Sequence, residues 1–384
     1  MALCLSAFFA ALNFMAPTPF YPQIAADLRT TVPLVGQIVT LMAFVSAGLG
    51  LVVGPLADRY GFRWPLVVGL LTIAMFFLGT GLTSTYPVLL AVGVLSGLGD
   101  ALAYSLPFAI AATYFQGDAQ RRAIGWTIGA LTTAPMVGIP LLTALAAVSS
   151  WRLALVTAGV AAVAVAWFVG TVLPVDSRRP TMPLHPRTWI GAYAPLLHHP
   201  SSLRFLAVSA LRGMWWVGLL TYLGAFLQTA VGLSEAGAGL VYALGGGAYT
   251  LGSVLAGRFG AISPRVLAAV SSLAAGVLVG PMLVSTPLWV VVLLFLVISM
   301  AAGVCSVGIV SMLASESPAG AATTMVLNGS AVNLGSAAGA SLCGLLIALR
   351  GYSALAISLP ILALAAGVLA WWSPREDTDA RTRR

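Results

Sequence analysis

The chain has 384 residues, of which 60% are hydrophobic and only 7% are charged, and its formal net charge is +8. So few polar side chains could not cover the surface of a water-soluble domain of this length, so we expect the lipid bilayer to be its solvent. The positive charge comes from arginines that nearly all fall between long apolar runs. This distribution excludes a basic groove for nucleic acid.

Two residue types further limit the function. The sequence contains no lysine, which excludes the Walker lysine of a P-loop ATPase and the Schiff-base lysine of pyridoxal enzymes. The cysteines are odd in number and lie in apolar runs, a pattern typical of packing residues and not of a disulfide framework. They are Cys4, Cys305 and Cys343.

Twelve apolar runs are long enough to cross a membrane, since a helix needs about 20 residues to span a hydrocarbon core of about 30 Å. The first run lacks a basic leading segment, so we count it as a mature span and not as a signal peptide. Alternation with period 2 is absent, which predicts helices and not a barrel. The runs lie near residues 3–21, 34–56, 65–84, 87–114, 122–148, 152–173, 203–228, 236–257, 264–284, 288–313, 321–347 and 353–372.

The arginines predict the orientation, because positively charged loops stay in the cytoplasm. With the amino terminus inside, the non-cytoplasmic side keeps only Arg29, Arg152 and Arg350. Arg212 lies inside a span, and all other arginines fall in cytoplasmic segments. Both termini are therefore predicted to be cytoplasmic.

A polar stretch divides the twelve spans into two groups of six. We predict an amino-terminal bundle at 1–173, a cytoplasmic linker at 174–202, a carboxy-terminal bundle at 203–372 and a cytoplasmic tail at 373–384. All three histidines, His185, His198 and His199, lie in the linker, where solvated loop residues are favoured over a metal site. Residues 56–61 (Leu-Ala-Asp-Arg-Tyr-Gly) are echoed by 255–260 (Leu-Ala-Gly-Arg-Phe-Gly) at the equivalent span ends, which indicates an internal repeat.

Residues 54–63 read Gly-Pro-Leu-Ala-Asp-Arg-Tyr-Gly-Phe-Arg. They resemble the loop signature G-x-L-A-D-R-x-G-R-R of the major facilitator superfamily, and more narrowly of its drug and metabolite efflux branch, with Phe62 replacing a basic residue. The resemblance implies a gating loop whose contacts form in one conformation and break in the other. The alternative is that this loop only holds a turn glycine and arginines that keep it in the cytoplasm. That alternative does not explain Asp58. The gating candidates are Gly54, Asp58, Arg59, Gly61 and Arg63.

A second, weaker match lies in span 5. Residues 134–140 (Ala-Pro-Met-Val-Gly-Ile-Pro) are similar to the G-P-x-x-G core of the family's antiporter signature, with alanine at the first glycine. The candidates are Pro135, Gly138 and Pro140, and interhelical packing is the alternative reading. Smaller agreements occur at residues 19–28 and at Asn328, Asn333, Gly335 and Gly339. The resemblance covers the whole chain and implies an all-α membrane fold of twelve helices in two pseudo-symmetric bundles.

Two charged residues lie in the interior of predicted spans, where a charge costs about 2.5 to 3.5 kcal/mol on insertion scales. Asp100 lies about 20 Å along span 4 and Arg212 about 14 Å along span 7. Many relatives carry an arginine where this chain has Gly93, so a proton relay through that arginine is not carried over. If a membrane carboxylate couples transport to protons, Asp100 is the sole candidate. A static pair with Arg212, or selection of cations without titration, are the alternatives.

The resemblance implies that spans 1, 4, 7 and 10 line a central cavity, which adds four cavity candidates. Tyr104 lies one turn from Asp100, Trp215 and Trp216 lie one turn from Arg212, and Asn13 lies in span 1. An acid, a base and aromatic rings suit a mid-sized amphipathic organic compound. Packing is the alternative role for each aromatic residue.

These observations predict a secondary transporter that exports a small organic compound by proton antiport. An uptake symporter or a facilitated-diffusion uniporter is the alternative, and a non-transport membrane protein is a more distant one. No catalytic constellation occurs in the spans, so no enzyme is expected, and no metal or cofactor beyond the coupling proton. The resemblance implies a monomer. The absence of lysine and the abundance of alanine, arginine and glycine are typical of a GC-rich bacterial genome, so we expect a bacterial cytoplasmic membrane.

Overall fold

The computed structural model describes residues 1–174, 196–258, 262–316 and 321–372. Within these residues all regular elements are helices, and twelve of them, two with internal breaks, are long and apolar enough to span a membrane. The predicted all-α, twelve-span fold is therefore confirmed. The predicted linker residues 175–195 and the predicted tail residues 373–384 lie outside the described residues.

The observed helices agree with the predicted spans to within a few residues, except that span 1 continues to Asp27. Span 1 consists of Ala2–Met15, a 3-10 turn at Thr18–Phe20, and Tyr21–Asp27. Span 5 consists of Gly117–Thr133, a π turn at Ala134–Gly138, and Ile139–Val148. The other ten spans are Val32–Tyr60, Arg63–Leu82, Tyr86–Tyr114, Trp151–Val172, Pro200–Thr229, Glu235–Arg258, Pro264–Val284, Leu288–Glu316, Ala321–Arg350, and Leu355–Trp371, which follows a 3-10 turn at Tyr352–Ala354.

The helix starts follow from residues whose backbone suits a first turn. Proline lacks the N–H that would be unpaired there, and Pro87, Pro200 and Pro264 all occupy the first turn of a span. Ser150 and Ser263 precede spans 6 and 9, and each hydroxyl accepts a hydrogen bond from a backbone N–H of the first turn. These local signals explain why the sequence located the span boundaries well.

We call the membrane face where Val172 ends span 6 and Pro200 begins span 7 the linker side, and the opposite face the far side. Spans 1–6 form the first half and spans 7–12 the second. Span 2 packs against span 11, and span 5 packs against span 8. The two halves therefore meet along two pairs of spans.

The far side is closed by contacts between span 1 and span 7. Gln23 Nε2 donates to Gln228 Oε1 at 2.8 Å, and Gln228 Nε2 donates to the carbonyl of Pro19 at 2.5 Å. Tyr222 of span 7 also donates to the carbonyl of Pro33 at the start of span 2, at 3.3 Å. These hydrogen bonds hold the two halves together at that face.

Spans 7 and 11 approach each other closely through glycine. A Cβ atom added at Gly335 would collide with the backbone of Ala210, and one at Gly339 would collide with the backbone of Met214. Small residues allow this backbone approach in membrane helices. The contact holds Arg212, which lies between those two span 7 residues, beside the polar side chains of span 11.

Candidate functional site

Asp100 lies at mid-depth in span 4, about 21 Å along the helix from Tyr86. Its side chain is buried, with 7% exposure. Ser46 of span 2 donates a hydrogen bond to Asp100 Oδ2 at 2.6 Å, and Asn333 of span 11 donates to Ser46 Oγ at 3.1 Å. We call this series the Asn333–Ser46–Asp100 chain. It connects the interior carboxylate of the first half to a side chain of the second half.

Arg212 lies about 18 Å along span 7 from Pro200, so it also lies near mid-depth. Its Nη2 donates to the hydroxyl of Tyr249 in span 8 at 2.8 Å. Among the described side chains no ion pair forms between Asp100 and Arg212. The static pair that the sequence left open as an alternative is therefore absent from this conformation.

The aromatic residues near Arg212 form one stack. The ring of Trp216 lies parallel to the rings of Tyr249 and Phe295, with centroids at 5.8 and 6.4 Å, and meets Trp215 edge to face at 5.6 Å. Trp215 is fully buried, and 9% of Trp216 is exposed. The stack positions the Tyr249 hydroxyl for Arg212. Substrate contact by Trp215 and Trp216 stays a prediction, and the structure leaves Trp216 more surface for it.

Tyr104 and Asn13 occupy different surroundings. Tyr104 is 51% exposed although protein surrounds it, and it lies within electrostatic range of Asp100 and Arg212. Its ring is therefore accessible enough to contact a ligand, and substrate contact by Tyr104 stays a prediction. Asn13 is 1% exposed and pairs with Ser96, whose hydroxyl donates to Asn13 Oδ1 at 2.9 Å while Asn13 Nδ2 donates to the Ser96 carbonyl at 3.2 Å. These bonds tie span 1 to span 4.

A small polar recess lies beside Arg212, and we call it the Arg212 recess. It is formed by spans 7, 10 and 11, with Ser209, Arg212, Ser306 and Asn328 as its polar residues and Ile309, Val310 and Val332 as its apolar ones. Ser209 Oγ donates to Asn328 Oδ1 at 2.6 Å, which fixes the amide orientation.

The span 5 motif forms the π turn at Ala134–Gly138, where the N–H of Ile139 bonds to the carbonyl of Ala134. Proline at position 140 would clash with a regular helix and lacks a donor, which explains the wider turn. A Cβ atom at Gly138 would meet Leu12 of span 1, and Gly246 of span 8 faces Pro135. The motif thus sits where span 5 contacts both span 1 and the second half.

The predicted gating loop follows the end of span 2. Gly61 has φ of +75°, a conformation that favours glycine, and it separates Tyr60 from the helix that begins at Arg63. The guanidinium of Arg63 lies 5.5 Å from the ring centroid of Trp64. The side chains of Asp58 and Arg59, and the surroundings of Gly54, lie outside the described residues, so their gating role stays a prediction.

The two interior charges are visible in the sequence, whereas their hydrogen-bond partners are not. Ser46, Tyr249, Ser209 and Ser306 are residue types common in membrane helices, and no spacing marks them. Among the described residues no group of three or more His, Cys, Asp or Glu could hold a metal ion, and the three cysteines are free thiols. His185 lies outside the described residues.

Comparison with known proteins identifies similar chains. A chloramphenicol resistance protein of Streptomyces lividans is 26% identical over 256 residues, covering 65% of this chain and 63% of that protein. A chloramphenicol efflux pump of Mycobacterium tuberculosis is 29% identical over 238 residues, covering 60% and 55%. The chain therefore spans less than two thirds of the length of these curated relatives.

The fold is similar to that of a solved transporter. The crystal structure of a bacterial homolog of the human lysosomal transporter Spinster, in an inward-facing and unoccupied conformation, superposes with a TM-score of 0.69 at 18% identity, covering 96% of this chain and 93% of the other. A sequence profile of the Major Facilitator Superfamily matches residues 3–326 and 226–384. The chain therefore belongs to the major facilitator superfamily.

Proposed function

We propose that this transporter exports a small amphipathic organic compound in exchange for protons, by alternating access to a site between its two halves. The observation that carries the proposal is the position of Asp100. It is the carboxylate at mid-depth among the described spans, and Ser46 and Asn333 connect it to the other half. An ionisable group in such a position is by default a functional one.

The Asn333–Ser46–Asp100 chain supplies a means of coupling. An ionised carboxylate only accepts hydrogen bonds, whereas a protonated one also donates. Protonation of Asp100 therefore changes the partner that Ser46 can keep, and this change reaches Asn333 in span 11. Proton binding in the first half thereby biases a contact with the second half, which is the bistable element that alternating access requires.

The distribution of contacts supports access from one side at a time. The described hydrogen bonds at the far side join the two halves through Gln23, Gln228 and Tyr222. Tyr104, on the linker side of these contacts, keeps half its surface exposed. Opening of the far side would require those bonds to break.

Export is favoured over uptake by two observations. The relatives that match the largest parts of this chain include proteins named for chloramphenicol resistance or efflux. The π turn of span 5 also places the antiporter-like motif directly at the interface with span 8. The half-exposed ring of Tyr104 suits an aromatic compound better than a bare ion.

The test is proton release on binding, measured with purified protein in detergent in weakly buffered solution. Chloramphenicol is the first probe, followed by a panel of aromatic amphipathic compounds. We expect release with the parent and with the control Asp27→Asn, whose carboxylate lies at the far side against Arg152. Release should be absent in Asp100→Asn.

Direction is tested in everted membrane vesicles. Acidification of the lumen should drive accumulation of a bound probe, and Asp100→Asn should abolish the response to the gradient. Binding without proton release, unchanged in Asp100→Asn, would refute proton coupling at this carboxylate and favour a uniporter. Accumulation only in right-side-out vesicles would favour uptake.

A further inference from the structure

We propose that the Arg212 recess is the subsite for a carboxylate, or a similar planar oxyanion, carried by the transported compound. The inference rests on the proposed function and adds a substrate class to it. The compound would be an aromatic amphipathic molecule with an anionic group at one end.

The recess holds more hydrogen-bond donors than acceptors. Arg212 donates a hydrogen bond to Tyr249 through Nη2, and its Nε is buried without a partner among the described residues. Asn328 accepts from Ser209 through Oδ1, so its Nδ2 remains available to donate, and in the described part of the chain it has no acceptor. An unpaired buried donor such as Arg212 Nε is costly, and an incoming acceptor would satisfy it and would also be within the reach of an Asn328 amide on the recess wall.

The recess also carries the uncompensated positive charge of Arg212. A guanidinium at mid-membrane depth needs a compensating anion, and no described carboxylate lies within ion-pair distance of Arg212. Asp100 is held by Ser46 in the other half. The site is therefore cationic, and an anionic group of a ligand would neutralise it.

The planar shape of the Arg212 guanidinium favours a planar anion. A guanidinium presents a planar fork of donors that matches a carboxylate in two parallel hydrogen bonds. The half-buried ring of Tyr249 lies next to that fork, and the part that Trp216 does not cover can contact the ring of the same ligand. The depth of Arg212, about 18 Å along span 7, places the recess beyond the reach of a lipid headgroup.

The anionic group of the ligand and the coupling proton would bind at different places. Asp100 and Arg212 lie in different halves, and they have different hydrogen-bond partners, Ser46 and Tyr249. A ligand with a carboxylate at Arg212 and a cationic or donor group toward Asp100 would fill both positions. Such a ligand could displace a proton at one end while it is held at the other.

The test uses two probes that differ only in this group, 6-(aminomethyl)naphthalene-2-carboxylate and its carboxamide. Their dissociation constants are measured by isothermal titration calorimetry with purified protein in detergent. We expect the carboxylate to bind the parent on the order of tenfold more tightly or better, because hydrogen bonds from a guanidinium to a charged acceptor are stronger than those to a neutral amide.

Arg212→Gln should remove the preference, so that both probes bind equally. Arg212→Lys should keep part of it, because it retains the charge but loses the fork. Arg204→Gln is the matched control, since it removes an arginine from the same helix nearer its start and should keep the full preference. Thermal unfolding of each variant checks that it folds like the parent.

Several results would overturn the proposal. Equal binding of the two probes to the parent would do so, as would a preference that survives in Arg212→Gln, or no binding of either probe up to its solubility limit. Acetate binding as tightly as the naphthalene carboxylate would show a site for free inorganic or small anions. Asp100→Asn should keep the preference while losing proton release, which separates failure of this subsite from failure of proton coupling.

Discussion

At the scale of single residues, the interior of this protein is organised around two charges that belong to different halves. Asp100 is connected across the interface through Ser46 and Asn333, whereas Arg212 is held within its own half by Tyr249. The two residues therefore have different tasks in the proposed cycle. Asp100 senses the contact between the halves, and Arg212 faces the recess.

The hydroxyl of Ser46 is predicted to be worth more than an ordinary hydroxyl at the interface. Ser46→Ala removes a hydrogen bond to a carboxylate and the acceptor of Asn333, and we expect it to lower the free energy of unfolding by about 1.5 to 3 kcal/mol. Thr40→Ala is the control, because Thr40 makes a neutral bond to Ser341 across the same pair of spans. Its expected cost is about 0.5 to 1.5 kcal/mol. Unfolding in mixed micelles measures both, and equal losses would contradict the special role of Ser46.

The sequence located the charges of the site but not their surroundings. Asp100 and Arg212 were detectable because each is a costly exception in an apolar run. Ser46 and Asn333 pair only because spans 2 and 11 meet in one register, and no local pattern encodes that register. The same reason hid Tyr249, which reaches Arg212 from the neighbouring span.

At the scale of elements, the spans were predictable and their irregularities were not. Length and hydropathy define twelve helices, because the bilayer imposes one dimension on all of them. The π turn in span 5 depends on how Pro140 fits against the preceding turn, and the extension of span 1 to Asp27 follows from a 3-10 turn. Motif resemblance marked the place of the π turn without giving its geometry.

The crossing of spans 7 and 11 is predicted to tolerate no added side chain at its centre. Gly335→Ala should lower the free energy of unfolding by about 1 to 3 kcal/mol, because the new methyl group would collide with the backbone of Ala210. Gly329→Ala lies on the same helix in open space and should be neutral or stabilising by up to about 1 kcal/mol. Thermal melting in detergent measures the difference, and a neutral Gly335→Ala would show that the two spans can separate easily.

At the scale of the whole molecule, the two halves meet through paired spans and are closed at one face. Closure is formed by spans 1 and 7 at the far side, while the polar interior lies at mid-depth. This asymmetry describes one state of the proposed cycle. A gating role of the loop after span 2 stays a prediction, because the side chains of Asp58 and Arg59 lie outside the described residues.

The orientation predicted from the arginines can be tested on the intact chain. Fusion of green fluorescent protein after Arg384 should give fluorescent cells, and alkaline phosphatase at the same position should be inactive, because a cytoplasmic carboxy terminus is expected. Alkaline phosphatase inserted after Gly351, at the far-side end of span 11, should be active. The opposite pattern would invert the proposed direction of transport.

The chemistry of the far-side contacts has a consequence for ionic strength. The hydrogen bonds through Gln228 and Tyr222 join amide groups, a phenol and backbone carbonyls, and the ion pair between Arg152 and Asp27 lies within the first half. The one charged group across the halves at this face is Glu235, among the described residues, and its partner is the neutral amide of Gln23. Added salt screens interactions between charges and leaves neutral hydrogen bonds almost unchanged. The rate at which this face opens should therefore vary little between low and high ionic strength.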